Sequence, residues 1–123
     1  MREGEGNVVL ERSFSFAVRI VKLHKYLTQK HKAFSLADQL LRSGTSIGAN
    51  VTEAQDAQSR KDFVSKLSIA LKEAKETKYW IRLLIETDYL QCKNENVLSL
   101  QNDLDSLIKL LTSIIMTCKS KSR

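Results

Sequence analysis

Between Phe63 and Leu84, and again between Val97 and Cys118, non-polar or small residues recur at alternating intervals of three and four. The first run is Phe63, Leu67, Ala70, Ala74, Thr77, Ile81 and Leu84. The second is Val97, Leu100, Leu104, Leu107, Leu111, Ile114 and Cys118. Only a helix with one buried stripe places such residues on one face for so long. A strand would need alternation by two. The chain contains no proline and only four glycines, so nothing forces these helices to break.

Two further segments continue the pattern. In the first, Phe16, Ile20, Leu23 and Leu27 form a stripe that Ala17 and Val21 widen. In the second, Leu36, Leu40, Gly44, Ile47, Val51 and Ala54 form another. Helices are predicted at about 10–30, 35–56, 60–86 and 96–118. Ser35 with Asp38 suits the start of the second, and Ser59 with Asp62 the start of the third. The basic tail from Lys119 is expected to fray. With 123 residues and short polar connections, the expected fold is all-α, a single-domain antiparallel up-down four-helix bundle. Ile108 and Ile115 add a second stripe to the fourth helix, wider than one neighbour covers. That helix and the glycine segment are therefore expected at or near subunit contacts.

The second helix carries an anomaly. Arg42-Ser43-Gly44-Thr45-Ser46-Ile47-Gly48-Ala49-Asn50-Val51-Thr52-Glu53-Ala54 places weak helix formers inside a helix, and the apolar period runs straight through its glycines. Gly44 and Gly48 open room for another helix to approach. Arg42, Ser46, Asn50 and Glu53 form a polar ladder beside the apolar stripe. Candidate partners on the third helix are Lys72, Glu73 and Glu76.

Catalytic and metal motifs do not emerge. The chain lacks a phosphate loop, a nucleophile elbow and the Glu-x-x-His or His-Glu-x-x-His pairs of metal sites. His24 and His31 sit among lysines and read as solvated. Cys92 and Cys118 match no metal spacing and read as reduced thiols. No enzyme activity and no cofactor are expected. Met1–Asn7 has no apolar core of a signal peptide, and no run is long enough to span a membrane. A cytoplasmic protein is expected.

The net charge of +6 is uneven. Residues 1–34 carry +4, residues 35–59 carry −2, residues 60–86 carry +3 and the remainder +1. Lys22 and Lys25 on the first helix, with Lys72, Lys75, Lys78 and Arg82 on the third, are the candidate contacts to RNA or DNA. The competing reading is a solvated face with Lys72–Glu76 and Arg82–Glu86 pairs. Tyr79 and Trp80 lie among these cations as packing or stacking groups.

The run Gln39 to Val51, then Glu53-Ala54, Ser59-Arg60-Lys61-Asp62-Phe63, Leu67 to Ala74, Glu76-Thr77 and Tyr79-Trp80, resembles the bacterial four-helix-bundle proteins of the 23S rRNA intervening-sequence (S23 ribosomal protein-like) family. Arg42, Ser46, Ile47, Asn50 and Glu53 match that family's signature. Many members have proline where this chain has Gly48, and glycine where it has Ala54. The resemblance implies a homopentamer without established activity. It also brings in a branch of accessory proteins that bind nucleic acid and a reverse transcriptase. The expectation is a non-enzymatic oligomer, RNA-associated through its basic surfaces. The alternative is a protein-interaction scaffold or accessory subunit that binds a protein and not nucleic acid.

Overall fold

The computed structural model describes residues 3–121, with side chains from residue 8 onward. Four helices follow one another: α1 (Glu3–Lys30), α2 (Phe34–Ala54), α3 (Arg60–Glu86) and α4 (Glu95–Lys121). Consecutive helices pack together, and α4 closes the ring against α1. The diagonal pairs, α1 with α3 and α2 with α4, do not bring their backbones together among the described residues. The connections 31–33, 55–59 and 87–94 are too short for anything but reversal of direction, so the four run up and down in turn.

Local chemistry sets most of the ends. Ser59 is extended, and its hydroxyl accepts the Asp62 N–H at 3.0 Å, while the Asp62 carboxylate accepts the Gln58 N–H at 3.3 Å. The Ser59 hydroxyl satisfies an amide that the first turn of α3 leaves without a partner, and the Asp62 carboxylate ties down the chain entering the helix. Asn94 does the same for α4, its Oδ1 accepting from Asn96 N at 2.8 Å and Val97 N at 3.2 Å. At the end of α3, Tyr89 N donates to Leu84 O and Asp88 N to Ile85 O, the Schellman pattern. Asp88 takes the left-handed position there with φ 67°, and Lys32 does so after α1 with φ 52°.

Three sequence expectations need correction. Ala33 and not Ser35 stands at the start of α2, without a side-chain cap; Ser35 already lies within the helix, and Asp38 pairs with His24 of α1 at 2.8 Å. His24 is thus paired, not merely solvated. α1 begins at Glu3, well before residue 10, because Val9 and Ser13 continue the Phe16–Ile20–Leu27 stripe into the core. α4 stays helical to Lys121; Ser122 and Arg123 lie outside the described residues.

The stripes of α3 and α4 are buried along their full length. Ile115 is buried too and Ile108 is packed against the core. The width of α4 is thus met by its two neighbours, α3 and α1, inside one chain. Val21, read from the sequence as part of the α1 stripe, is 40% exposed. No described helix is long and apolar enough to cross a membrane.

Candidate functional site

The glycines of α2 face α1 of the same chain. A Cβ built on Gly44 would stand 2.8 Å from both γ carbons of Ile20. One built on Gly48 would stand 3.2 Å from the Ser13 carbonyl oxygen. Hydrogen at these positions lets the two backbones approach closely. Ser13 fits this contact because its side chain is short and its hydroxyl is satisfied within α1, donating to Leu10 O at 3.1 Å. Ile47 lies fully buried beside them.

The polar ladder faces α3, but only its charged ends reach across. Arg42 donates to Glu73 Oε2 at 3.2 Å and to Glu76 Oε2, and its Nε donates to Gln39 Oε1 at 3.2 Å. Glu76 also accepts from the Trp80 indole N–H at 3.0 Å. Glu53 lies 4.0 Å from Lys66, not Lys72. The middle rungs turn back on α2. Ser46 Oγ donates to Arg42 O at 2.6 Å and Asn50 Nδ2 to Ser46 O at 2.8 Å. Short polar side chains compete in this way for the carbonyl four residues back. Beneath the ladder, Ser43 and Thr77 are both buried and share a hydrogen bond of 3.0 Å between their hydroxyl oxygens. This segment is a lock between helices, holding α2 to α1 through close approach and to α3 through ions and hydroxyls.

The basic candidates fall on two separate corners. Lys22 and Lys25 are exposed on α1, and Lys72, Lys75, Lys78 and Arg82 are exposed on α3. Because α1 and α3 are diagonal, one chain does not unite them in one surface. Within α3, Lys72, Lys75, Tyr79 and Arg82 recur at intervals of three and four along the helix's outer face. Tyr79 is 57% exposed and meets Trp80 edge-on at 5.0 Å, whereas Trp80 is half-buried against the core. Lys78 stands apart, turned to α4 and bonded to Asp105 at 2.9 Å. The i, i+4 pairs Lys72–Glu76 and Arg82–Glu86 do not form: Glu76 is taken by Arg42 and Trp80. Among the described residues, Lys72, Lys75 and Arg82 have no carboxylate partner.

Sequence reasoning missed Arg19. Its guanidinium donates to Asp103 at 2.5 Å, Ser99 at 3.0 Å and Asn96 O at 3.1 Å, joining α1 to α4. Residues more than 70 positions apart carry no local signal of such a clamp. Ser13 did carry one, lying on the core stripe of α1, but its hydroxyl disguised it.

The profile of the 23S rRNA-intervening sequence protein family matches residues 5–113. A solved structure from Bacteroides thetaiotaomicron VPI-5482, described as a protein with unknown function from the S23 ribosomal protein family, is 54% identical. Its alignment covers 91% of this chain and 98% of that one, with a TM-score of 0.87. No curated protein matches. The chain belongs to the 23S rRNA-intervening sequence protein family.

Proposed function

From that membership, we propose that the chain is a non-enzymatic, self-associating bundle of the cytoplasm that binds RNA on the outer face of α3. The observation that carries this reading is the line Lys72, Lys75, Tyr79 and Arg82, three cations without carboxylate partners around one exposed ring. Cations spaced along a helix suit successive phosphates, and an exposed ring offers a face to an unpaired base. The family's name ties its members to intervening sequences of 23S rRNA, which makes RNA the first polyanion to try.

Self-association is supported by α1. Leu10, Phe14, Ala17 and Val21 follow each other at intervals of four and three, on the flank where His24 reaches α2. Phe14 is 69% exposed and Val21 40%. A row of this kind gains from being covered by another chain. The number five comes from the resemblance. Light scattering should give a mass five times the 14.0 kDa of one chain.

The test of RNA binding is fluorescence anisotropy with a labelled single-stranded RNA over a range of salt. Each phosphate contact on a single strand contributes about 0.7 to the slope of log affinity against log salt. Changing Lys72, Lys75 and Arg82 together to Gln should flatten the slope by about 2. An unchanged slope, or no affinity at ~50 mM salt, overturns the proposal. A protein partner retained after nuclease treatment by a chain without RNA affinity would favour the scaffold reading.

A further inference from the structure

The α1–α4 side of the bundle opens at one end into a cavity of about 540 Å³, whose lining includes none of Lys72, Lys75, Tyr79 and Arg82. Pockets for small organic ligands span about 300–1,000 Å³. The opening arises where the ends of α1 and α3 meet the start of α4. The connection 87–94 is the longest of the three and lays Tyr89 across the gap. Leu23 and Leu100 form an apolar floor. Three rings form the rim: His31 meets Tyr26 edge-on at 5.2 Å and Tyr89 edge-on at 5.8 Å. His31 Nε2 also lies 3.1 Å from the Tyr26 hydroxyl.

The charges around this opening are mixed: Arg19 and Lys22 line it together with the exposed carboxylate Asp88. Arg19 is on its wall but is already committed to Asp103, Ser99 and Asn96 O. Lys22, one turn along α1, is exposed and has no ion pair among the described residues. Asn94 uses its Oδ1 to cap α4, and its amide nitrogen makes no bond there. Apart from Asp88, which the anionic group must keep clear of, the site offers ring surfaces, an apolar floor, one available cation at the rim and one available amide. A planar heteroaromatic ring carrying an anionic group meets all four.

We propose that this cavity binds a nucleotide, its base against Tyr26 and Tyr89 and its phosphate on Lys22. The nucleotide comes either free or as an unstacked unit of a strand. The proposal does not rest on the α3 face and survives its failure.

The test is amide and side-chain NMR of the full chain titrated separately with adenosine 5′-monophosphate, uridine 5′-monophosphate and a five-residue oligouridylate, with adenosine and inorganic phosphate as controls. Shifts at Lys22, His31 and Tyr89 with a mononucleotide indicate a free ligand. The same shifts with the oligonucleotide alone indicate a strand; either result supports the proposal. Tyr26→Ala, at a 45% exposed side chain, should weaken binding about tenfold through lost stacking. Lys22→Gln, at an exposed unpaired position, should weaken the monophosphate severalfold and leave adenosine unchanged. No shift in the cavity with any nucleotide, or shifts confined to Lys72, Lys75 and Arg82, would overturn it. So would equal loss of adenosine and adenosine monophosphate in Lys22→Gln.

Discussion

Replacing Gly44 by alanine probes the contact on which the α2 segment depends. In an open helix the change stabilises by about 1 kcal/mol, because alanine loses less backbone freedom on folding. Here the added Cβ would stand 2.8 Å from Cγ1 and Cγ2 of Ile20 and 3.2 Å from its Cδ1. Carbon atoms in contact rest about 3.5–4.0 Å apart, so each γ carbon overlaps by roughly an ångström. Both γ carbons branch from one Cβ that holds a single rotamer in a helix, so neither swings aside. Relief requires α1 to move off α2, and overpacking of this kind costs about 1–3 kcal/mol. The net expectation is destabilisation by about 1 kcal/mol. Gly48→Ala meets only the Ser13 carbonyl at 3.2 Å, a displacement of a few tenths, and should fall near zero. Urea unfolding followed by circular dichroism gives both values from the midpoint, provided the slope is unchanged. Protomer concentration must be fixed, because the proposed self-association would make apparent stability depend on it. Ile20→Ala alone should cost about 2–5 kcal/mol. Adding Gly44→Ala should then recover about 1 kcal/mol, since the new methyl enters the vacated space. A Gly44→Ala chain that gains its full helix-forming benefit, with no coupling to Ile20, would refute the close approach.

The lock between α2 and α3 makes a second prediction. Arg42→Ala leaves the Glu73 carboxylate, only 12% exposed, without its counter-ion and should destabilise by about 1–3 kcal/mol. The range stays below that of a fully buried pair because Arg42 is 49% exposed. A cycle with Glu73→Ala should show coupling above ~0.5 kcal/mol, and additivity would refute the pairing. Lys32→Gly relieves a left-handed residue with φ 52° and should raise the unfolding midpoint by the equivalent of about 0.5–1 kcal/mol. Ser59→Ala removes the side-chain cap of α3 and should cost about 1 kcal/mol in the same assay, with Ser59→Asn close to neutral.

The apolar stripes of α3 and α4 were legible because every member is large or small and apolar, save Thr77, and all are buried. The start of α1 was not, because Ser13 breaks the apolar spelling of a stripe that is continuous in space. Its hydroxyl is satisfied by Leu10 O, so burial carries no polar penalty. The glycines illustrate a different limit. Gly44 and Gly48 announce that something comes close, but not which helix does so. The answer lies in Ile20 and Ser13, which look ordinary in sequence. Glu73 and Glu76 could be named as partners of Arg42 because charge complementarity at a suitable helical phase is visible in one dimension. The roles of Ser46 and Asn50 could not, since an amide or hydroxyl serves equally well across a seam or back along its own helix.

The separation of the two basic sets was, by contrast, already contained in the expected topology. In an up-down bundle with short connections, each helix adjoins its sequence neighbours, so the first and third are diagonal. Lys22 and Lys25 therefore face away from Lys72, Lys75 and Arg82, and a straight phosphate backbone held on α3 would pass the α1 cations of the same chain by. A second chain would bring the two sets together on one straight strand. If Lys22→Gln and Lys25→Gln lower RNA affinity in the assembled protein but not in a Phe14→Asp chain that has lost self-association, neighbouring chains share one strand. Phe14 suits this test because its 69% exposed ring is outside the core of its own bundle, so a charge there would disrupt the proposed association without opening a cavity. Equal losses in both backgrounds would show that α1 acts within one chain, as it does if its cavity takes an unstacked nucleotide of the strand.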